Sequence, residues 1–398
     1  MRILLCNYEY PPLGGGGGVV MAAMARELAR RHEITVLTSR AAGLPAESDD
    51  AGVRVVRVPV FFRRELAVAN MPSMAAYLPM GLWRGLALAR RQSFDVINTH
   101  FVVPTGPLGD WLSRRLDIPN VLSLHGGDLY DPSKASSPHK HGFLRRPIAK
   151  LLRRAELVIA QSRDTAGNVR KIYGVEREVG LIPLGIDRPP QHIRGSRTQF
   201  GIPENAFVLV TAGRIVARKA TTQLVQMVTT LKSASPEVHL LVVGDGPEAD
   251  PVRRLAAELG VSERLHMLGY VSDEDKYKAY SAADIFVSTS QHEGFGLVFL
   301  EAMAFGLPVV CYNRGGQTDF LATPATGAVV PLNDLNAFTA AVRELHGSGE
   351  RRATMRHHNL ALVENYFIDR CAAQYEAVFE RAIRERGRVV SQPATDAG

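Results

Sequence analysis

The chain has 398 residues, of which 46% are hydrophobic and 22% charged, with 47 lysines and arginines against 40 acidic residues. This composition excludes disorder, collagen and coiled coil, and the length predicts two or three domains with large cores. Three widely spaced cysteines, Cys6, Cys311 and Cys371, exclude a disulfide framework and a cysteine-based zinc site, and they suit a reducing cytosol.

The net charge of +7 is concentrated in the first half: residues 1–190 carry +9 and residues 191–398 carry −2. A basic half favours anionic partners such as phosphates or a lipid surface. Nucleic acid is not an expected partner, because the sequence has no zinc-finger pattern, aromatic RNA-binding motif or basic leucine-zipper region. Without a signal-peptide pattern or an apolar stretch of about 18 residues, the expected location is the cytoplasm, with peripheral attachment to the cell membrane left open.

Short aliphatic runs alternate with helix-like stretches through the first half. The first helix is expected over Val19–Arg31, after a glycine-rich turn. The predicted strands are Ile3–Cys6, Ile34–Leu37, Val53–Val56, Val96–Ile97, Val121–Leu124 and Leu157–Ala160. This alternation predicts a parallel sheet covered by helices on both faces.

The pattern stops near residue 188 and restarts after the polar segment Gln191–Gly201, which is the expected linker. The second set of predicted strands is Phe207–Thr211, Val238–Val243, Leu265–Leu268, Ile285–Val287 and Val309–Cys311. The predicted helices between them are Lys219–Lys232, Pro247–Leu259, Glu274–Ala282 and Gly296–Phe305. The sequence therefore predicts an α/β protein with two facing, doubly wound domains and a ligand crevice between the carboxyl ends of their sheets.

The expected domains are residues 1–188 and 189–368, followed by a last helix over about 369–387 that packs back onto the first domain. Its apolar side carries Cys371, Tyr375, Val378 and Phe379.

Five consecutive glycines, Gly14 to Gly18, separate the first predicted strand from the first helix. Backbone N–H groups at such a turn can approach a phosphate closely, and the helix N-terminus favours its charge. The spacing matches neither a dinucleotide-binding fingerprint nor a P-loop. A glycine turn that binds no ligand is the alternative.

Cations follow the first strand of the second half, in the segment Gly213–Lys219. This is the end of a parallel strand, where α/β folds bind their ligands. Arginine grips phosphate through two hydrogen bonds and lysine acts as a compact charge, so the cluster favours a diphosphate that gains charge as its bond breaks. The alternative, a solvated basic helix start, opposes the helix macrodipole.

Two glutamates, Glu293 and Glu301, flank the start of the helix expected from Gly296. The amides over Phe295–Val298 are helix-end donors suited to a second phosphate contact. Both carboxylates can face one crevice and accept hydrogen bonds from sugar hydroxyls. Alternatively, Glu293 is a helix-start charge and Glu301 a surface residue.

These motifs, with Val243–Pro247 and Ile182–Asp187, occur in one order and resemble those of the retaining glycosyltransferases of family four. That family has two facing Rossmann-like domains, the GT-B architecture, and the resemblance covers nearly the whole chain. It implies a nucleotide-sugar donor bound mainly by the second domain and an acceptor bound mainly by the first. It also implies retention at the anomeric carbon, no cofactor and no essential metal.

The resemblance assigns roles residue by residue. Arg214 and Lys219 match the pair that stabilises the diphosphate, Glu293 and His125 lie near the donor sugar, and these four are the catalytic candidates. Glu301 matches the residue that holds the ribose. The donor-binding candidates are Gly15, Gly16, Gly213, Gly244, Gly246, Phe295, Gly296, Leu297, Val298 and Glu301, and the acceptor-side candidates are His100 and Asp128.

Three positions depart from the family pattern: Ala220 replaces the usual glycine, Leu184 a common asparagine, and Phe367–Asp369 a region that often holds tryptophan. None of these changes removes a charge that the reaction needs.

The resemblance implies a hexosyl- or N-acetylhexosaminyltransferase of cell-surface polysaccharide or glycolipid biosynthesis, with a glycan or a lipid- or diphosphate-linked sugar as acceptor. No carboxylate can be placed beneath the anomeric carbon, which favours same-face attack assisted by the departing phosphate over a covalent intermediate. The alternatives are a nucleotide-sugar epimerase or hydrolase and a non-catalytic nucleotide-sugar-binding protein.

Asp273-Glu274-Asp275 has the form of a manganese-binding motif. However, Ser272 precedes it at a predicted helix start, which favours a capping box with acidic residues in the first turn. No metal site is therefore expected.

The segment 139–154 contains six lysines and arginines and no acidic residue. As a helix it places Leu144, Ile148, Leu151 and Leu152 on one face and most of its cations near the other. It can rest on an anionic membrane surface or pack on the core with a solvated basic face.

Overall fold

The computed structural model describes residues 1–61, 71–132, 137–232, 235 and 237–391. The chain forms two compact units, one made of Met1–Ile186 with Phe367–Gly398 and the other of Asp187–Tyr366. The first boundary lies two residues before the expected one, and the polar segment Gln191–Gly201 lies inside the second unit, where Thr198–Phe200 form a 3-10 turn.

The first unit contains an eight-stranded sheet. Its strands are β1 (Arg2–Cys6), β2 (Glu33–Arg40), β3 (Glu47–Asp50), β4 (Val53–Pro59), β5 (Val96–His100), β6 (Asn120–Leu124), β7 (Leu157–Ala160) and β8 (Gly180–Leu181). They lie in the order β3-β4-β2-β1-β5-β6-β7-β8, and all pairs are parallel except β3 with β4.

The expectation of a wholly parallel sheet is therefore wrong at this edge. A two-residue turn, Ala51-Gly52, joins β3 to β4, and both residues have positive φ, 52° and 86°. Such turns match the twist of antiparallel strands and produce a hairpin.

In the described part of the first unit, the α-helices before residue 187 are α1 (Gly16–Ala29), α2 (Met71–Ala89), α3 (Gly106–Leu116), α4 (Gly142–Arg154) and α5 (Arg163–Tyr173). Successive side chains of β1 point to opposite faces of the sheet, so their burial partners show which helices cover each face. Ile3 and Leu5 are buried with residues of α1, whereas Leu4 and Cys6 are buried with residues of α2 and α3.

The glycine run does not form the predicted loop up to Gly18, because α1 begins at Gly16. A Cβ at Gly18 would lie 3.2 Å from the carbonyl oxygen of Glu9, and one at Gly17 would lie 2.6 Å from the Phe101 ring. Glycine is needed here because the first helical turn packs tightly against neighbouring segments.

The second unit contains a six-stranded parallel sheet. Its strands are β9 (Phe207–Ala212), β10 (Val238–Val243), β11 (Leu265–Gly269), β12 (Ile285–Ser288), β13 (Val309–Tyr312) and β14 (Gly327–Val330), in the order β11-β10-β9-β12-β13-β14. Its helices are α6 (Thr221–Leu231), α7 (Ala249–Glu258), α8 (Asp273–Ala282), α9 (Leu297–Ala304), α10 (Leu335–Gly347) and α11 (Gly349–Val363). The sequence patterns had not predicted β14, α10 and α11.

Both sheets are doubly wound, as expected. In each unit the strand order reverses next to the first strand, between β1 and β5 and between β9 and β12. Ligands of open α/β sheets bind outside the carboxyl ends of the strands at such reversals. A ligand site is therefore expected at each of these two reversals.

The last helix, α12 (Ile368–Ser391), belongs to the first unit. Cys371, Tyr375 and Phe379 are buried in the same cluster as Ile3 and Leu5 of β1. The helix therefore packs where the sequence placed it, and the chain returns from the second unit to complete the core of the first. Among the described residues, no helix combines the length and apolar character needed to cross a membrane.

Candidate active site

A buried carboxylate, Glu293, lies between two cations at the β9/β12 reversal of the second unit. Lys219 Nζ is 2.5 Å from Glu293 Oε1, and an Arg218 guanidinium nitrogen is 3.1 Å from Glu293 Oε2. Lys219 ends the 3-10 turn that follows β9, and Glu293 comes from the loop after β12. The carboxyl ends of two adjacent parallel strands thus bring together residues 74 and 75 positions apart in sequence.

Glu293 is ionised at neutral pH. Burial alone would raise its pKa, but attraction to Lys219 and Arg218, with hydrogen bonds from Lys219 and Ser290, lowers the pKa to about 2. One carboxylate facing two cations leaves a net positive charge at the end of the sheet. Such a site suits an anionic ligand.

Backbone contacts fix both segments of this cluster. The amide of Gly316 donates to the Glu293 carbonyl at 2.8 Å, and the Glu293 amide donates to the carbonyl of Arg314 at 3.3 Å. On the other side, the Thr289 hydroxyl donates to the carbonyl of Lys219 at 3.1 Å. The positions of the charged groups therefore depend on rigid loops at the sheet edge.

The prediction paired Arg214 with Lys219, but the structure pairs Arg218 with Lys219 around Glu293. Arg214 is exposed and makes no hydrogen bond or ion pair with the part of the chain that the structure describes. Sequence reasoning did not single out Arg218. The available signal was its position beside Lys219 at a helix start, where two adjacent cations need a nearby anion to offset the macrodipole.

The glycines of the second unit allow two loops to cross. The amide of Gly213 donates to the Val243 carbonyl at 2.9 Å, and the Ile215 amide donates to the Asp245 carbonyl at 2.9 Å. A Cβ at Gly244 would overlap the carbonyl oxygen of Gly213, and one at Gly246 would overlap that of Ile215. Gly213, Gly244 and Gly246 thus lie together, and their contact with a donor stays a prediction.

The segment before α9 is built on a buried ring. Phe295 packs against Phe320 with ring centroids 5.2 Å apart, and Gly296 takes a positive φ of 96° before the helix starts at Leu297. The N–H groups of Leu297 and Val298 lie in the first helical turn, where no partner exists inside the helix. This end of α9 follows Glu293 by a few residues, as the sequence predicted.

Glu301 has partners of its own. Lys276 Nζ and the Tyr280 hydroxyl, both on α8, donate to its two oxygens at 3.0 Å each. It is therefore a half-buried, anchored carboxylate and not a loose surface residue. Its predicted contact with a ribose stays a prediction.

In the first unit, β5 and β6 bring His100, His125 and Asp128 together. His100 Nδ1 lies 2.8 Å from His125 Nε2. Asp128 accepts hydrogen bonds from the amides of Val102 at 2.7 Å and His125 at 3.0 Å. Asp128 thus ties the two loops that follow these strands.

The glycine-rich turn approaches the same histidine. A Cβ at Gly17 would lie 3.6 Å from His125 Nδ1, so Gly17, which is not among the predicted site residues, comes close to the His125 ring. Gly15 donates its amide to the Glu9 carboxylate at 3.2 Å, and Gly16 opens α1. Phosphate binding by Gly15 and Gly16 stays a prediction.

The Asp273-Glu274-Asp275 motif caps α8. The Ser272 hydroxyl oxygen accepts from the Asp275 amide at 3.1 Å, and the Ser272 hydroxyl donates to the Asp275 carboxylate at 2.9 Å. The capping prediction is confirmed. No cluster of three or more histidine, cysteine or acidic side chains suited to a metal ion occurs within the described residues.

The apolar face of the basic segment 139–154 is occupied by the protein itself. Ile148 and Leu152 of α4 are buried in a core cluster, and Leu144 and Leu151 pack against it. The hypothesis that α4 lies on lipid through this apolar face is therefore wrong. The charged face, with Arg146 and Lys150 exposed, remains open, and contact with an anionic membrane through that face stays a prediction.

Family comparisons agree with both halves of this architecture. The model of "Glycosyltransferase Family 4" matches residues 14–188, and that of "Glycosyl transferases group 1" matches residues 193–359. The chain belongs to glycosyltransferase family 4. The glycosyltransferase carries its charged cluster, Arg218, Lys219 and Glu293, inside the second of these matches.

Curated relatives align over most of the glycosyltransferase. A GDP-mannose-dependent alpha-(1-6)-phosphatidylinositol monomannoside mannosyltransferase of Mycolicibacterium smegmatis is 28% identical over 89% of this chain and 91% of its own length. A D-inositol 3-phosphate glycosyltransferase of Stackebrandtia nassauensis is 29% identical over 87% of this chain and 83% of its own length. Sugar transfer from a nucleotide sugar is thus the activity of this chain, and the epimerase, hydrolase and non-catalytic alternatives are not favoured.

Solved structures share the fold. Sucrose-phosphate synthase from Thermosynechococcus elongatus superposes with a TM-score of 0.81 at 22% identity, covering 97% of this chain and 100% of the other. Anabaena HepE in complex with UDP-glucose gives a TM-score of 0.73 at 20% identity, covering 96% of this chain and 100% of the other. The GT-B fold expected from the sequence is confirmed.

Proposed function

We propose that this glycosyltransferase moves a hexose, with retention at the anomeric carbon and without a metal ion, from a nucleotide sugar to an acceptor in glycolipid or polysaccharide biosynthesis. The observation that carries the donor assignment is the cluster of Arg218, Lys219 and Glu293 at the β9/β12 reversal. Arg214, on the same segment, is exposed and has no ion pair among the residues that the structure describes. It offers fixed positive charge where α/β folds bind ligands.

The proposed chemistry follows from charge. Breaking the sugar–phosphate bond leaves negative charge on the diphosphate, which Arg214, Lys219 and the first-turn amides of α9 would stabilise. Groups held in place before the reaction need no reorganisation when that charge develops. Protein cations would then stabilise the charge that a divalent metal stabilises in other transferases. Excess chelator should therefore leave the activity unchanged.

Retention has two possible routes, and we favour attack on the same face as the departing diphosphate. A covalent intermediate needs a free carboxylate beneath the anomeric carbon. Glu293 is held by two cations and Asp128 by two backbone amides, so neither is free to act as a nucleophile. The leaving phosphate would then accept the proton of the acceptor hydroxyl.

The first unit is proposed to bind the acceptor, with His100 and Asp128 near its carboxyl edge. Two relatives are named for inositol-containing acceptors, a phosphatidylinositol monomannoside and D-inositol 3-phosphate. The exposed cations of α4 would help a lipid-linked acceptor to reach the protein by attracting an anionic leaflet.

The decisive experiment tests GDP-mannose, UDP-glucose and other nucleotide sugars first by thermal shift and then by transfer. A donor present at 100 times its Kd stabilises a folded protein by about 2.7 kcal/mol. Transfer to phosphatidylinositol mannosides, D-inositol 3-phosphate and short glycans is then followed, and the anomeric configuration of the product is read by proton NMR.

A product with the configuration of the donor supports the proposal, whereas an inverted product contradicts retention. Faster donor hydrolysis or epimerisation than transfer with every acceptor contradicts the transferase itself. Loss of activity in chelator, restored by manganese or magnesium, contradicts metal independence. Trapping a glycosyl group on Glu293 or Asp128 contradicts same-face attack.

A further inference from the structure

One nitrogen of the first-unit histidine pair has no partner. His125 Nδ1 is buried and makes no hydrogen bond with any described part of the chain. A buried polar atom without a partner is costly, and it calls for an explanation. The neighbouring side chains determine whether this nitrogen carries a proton.

The orientation of Asn98 is fixed by a carbonyl. Its Nδ2 lies 2.9 Å from the carbonyl oxygen of Val121 and 2.9 Å from Ser123 Oγ. A carbonyl oxygen only accepts hydrogen bonds, so the amide nitrogen, not the amide oxygen, faces Val121. Asn98 Oδ1 therefore points the other way, toward His100.

His100 must then carry its proton on Nε2. That nitrogen lies 2.7 Å from Asn98 Oδ1, which can only accept. Burial lowers the pKa of His100 well below its ordinary value, so the ring is neutral and carries a single proton. His100 Nδ1 is left as an acceptor.

The hydrogen-bond partner of His125 determines its tautomer in the same way. Its Nε2 lies 2.8 Å from the acceptor nitrogen of His100, so Nε2 is the donor of this hydrogen bond. Burial lowers the pKa of His125 to about 4, so this ring is also neutral. The partnerless Nδ1 therefore carries a lone pair and no proton.

The surroundings of His125 hold the ring in one orientation. Phe101 stacks on it with centroids 4.3 Å apart, and Phe101 itself has a strained positive φ of 68°. Gly17, in the first turn of α1, comes close on the Nδ1 side, where a Cβ would lie 3.6 Å away. Nδ1 thus lies beside the glycine run that is expected to meet the donor.

We propose that Asn98 and His100 are positioning residues that keep the proton of His125 on Nε2, so that Nδ1 accepts a hydrogen bond from a hydroxyl of the bound donor sugar. The ligand half of this proposal rests on the proposed function, whereas the tautomer half does not. His125 then orients the sugar and does not act as a general acid, because its ligand-facing nitrogen has no proton to give.

The tautomer is tested directly by NMR. The full-length protein is labelled with 13C and 15N in its 12 histidines, and long-range proton–nitrogen correlations distinguish a protonated ring nitrogen from a bare one. Resonances are assigned from the spectra of His100→Gln and His125→Gln. We expect both rings to be protonated on Nε2 at neutral pH. A proton on His125 Nδ1, or a mixture of tautomers, overturns the proposal.

Two variants separate positioning from general support of the fold. Asn98→Leu removes the acceptor that fixes His100, so His125 should become a mixture of tautomers. Ser123→Ala removes one of the two acceptors of Asn98 Nδ2 but leaves Val121, so His125 should keep its wild-type signature. An unchanged His125 tautomer in folded Asn98→Leu contradicts the proposal. If that variant does not fold, the wild-type spectrum still decides the tautomer.

The ligand half is tested with the nucleotide sugar that gives the largest thermal shift. Its saturation should move the His125 Nδ1 resonance toward a hydrogen-bonded value without protonating the nitrogen, whereas the matching nucleoside diphosphate should leave it in place. No change with a bound nucleotide sugar overturns the ligand role alone. If no nucleotide sugar binds, both the proposed function and the ligand role of His125 are contradicted. The spectrum of the free protein still determines the tautomer.

Discussion

Glu293 links the charge of the site to the stability of the second unit. Its pKa of about 2 in the folded protein lies below its ordinary value of 4.5, so the unfolded chain binds the proton more tightly. The stabilisation from its ion pairs is therefore complete above about pH 4.5 and is lost as the pH falls toward 2.

We therefore expect Glu293→Gln to be less stable than wild type at pH 6, with a difference in unfolding free energy that shrinks by up to about 3 kcal/mol on acidification toward pH 2. Urea unfolding at a series of pH values measures this. Glu258→Gln, at the exposed end of α7, is the control and should show a small, constant difference. A pH-independent difference for Glu293→Gln would contradict the ionised state.

Substitutions of Arg214 and Lys219 should have different effects on catalysis and on stability. Arg214 is exposed and makes no hydrogen bond or ion pair within the described residues, so Arg214→Met should lower kcat/KM by about 10²–10³-fold while leaving Tm unchanged. Lys219→Met should lower both, because Glu293 loses its 2.5 Å partner. Steady-state kinetics and calorimetry test this, with the exposed Arg253→Met as control. Full activity of Arg214→Met would remove it from the site.

Ala220 shows how a sequence departure can be understood from the backbone. The family usually has glycine here, and Ala220 takes a positive φ of 45°. Alanine disfavours the left-handed region, which glycine adopts without a steric penalty. The turn that follows Lys219 therefore holds alanine in a conformation that suits glycine.

At the scale of elements, the crossing of two loops in the second unit depends on the absence of side chains. A Cβ at Gly244 would overlap the backbone of the Gly213 loop, and Gly244 has a φ of 130°. We expect Gly244→Ala to destabilise the protein by about 3 kcal/mol or more in urea unfolding.

The matched control is Gly347→Ala, at the end of α10, where no atom lies within 4 Å of the new Cβ. It should be neutral or stabilising by less than about 1 kcal/mol. Equal effects of the two substitutions would mean that the loops do not cross as described.

Helix α4 allows a test of membrane attachment. Its apolar face is buried, so binding would depend on charge, at about 1 kcal/mol for each cation near an anionic surface. We expect Arg146→Glu with Lys150→Glu to weaken binding to vesicles containing phosphatidylglycerol at least tenfold at low salt, measured by flotation.

The control for α4 makes the same charge change in the second unit, Arg254→Glu with Arg343→Glu, both exposed. It should leave vesicle binding nearly unchanged. Failure of the wild type to float with anionic vesicles at low salt would end the membrane hypothesis.

Periodicity predicted the strands that lead to the site because buried parallel strands are short, aliphatic and bounded by turns. It did not predict β3, whose sequence, Glu47–Asp50, is polar and pairs only at an edge. The charged cluster was predicted to within a few residues, because adjacent parallel strands end at one edge. Which of Arg214 and Arg218 turns toward Glu293 depends on the 3-10 turn Ala217–Lys219, and sequence spacing does not determine that.

At the scale of the whole molecule, the first unit depends on a helix from the far end of the chain. Phe379 of α12 is fully buried with β1 and α1. Phe379→Ala should cost about 3–5 kcal/mol and should increase amide hydrogen exchange in β1 and β2, but not in β9 and β10.

The neighbouring exposed residue provides the control, since Glu380→Ala removes only a surface contact with Arg384. It should change the unfolding free energy by less than about 1 kcal/mol. Increased exchange throughout both sheets in Phe379→Ala would mean that the two units unfold as one.

The chain leaves the first unit after Ile186 and re-enters it at Phe367, and these residues are bridged side by side, with the Ile368 amide donating to the Ile186 carbonyl at 2.9 Å. Residues 187–366 are thus a continuous cassette whose two ends are neighbours. Segments with neighbouring ends are the ones that tolerate excision and transplantation. Exchanging this cassette between related enzymes would need only two junctions, which makes the pair Ile186/Phe367 a natural place to cut when building chimeras.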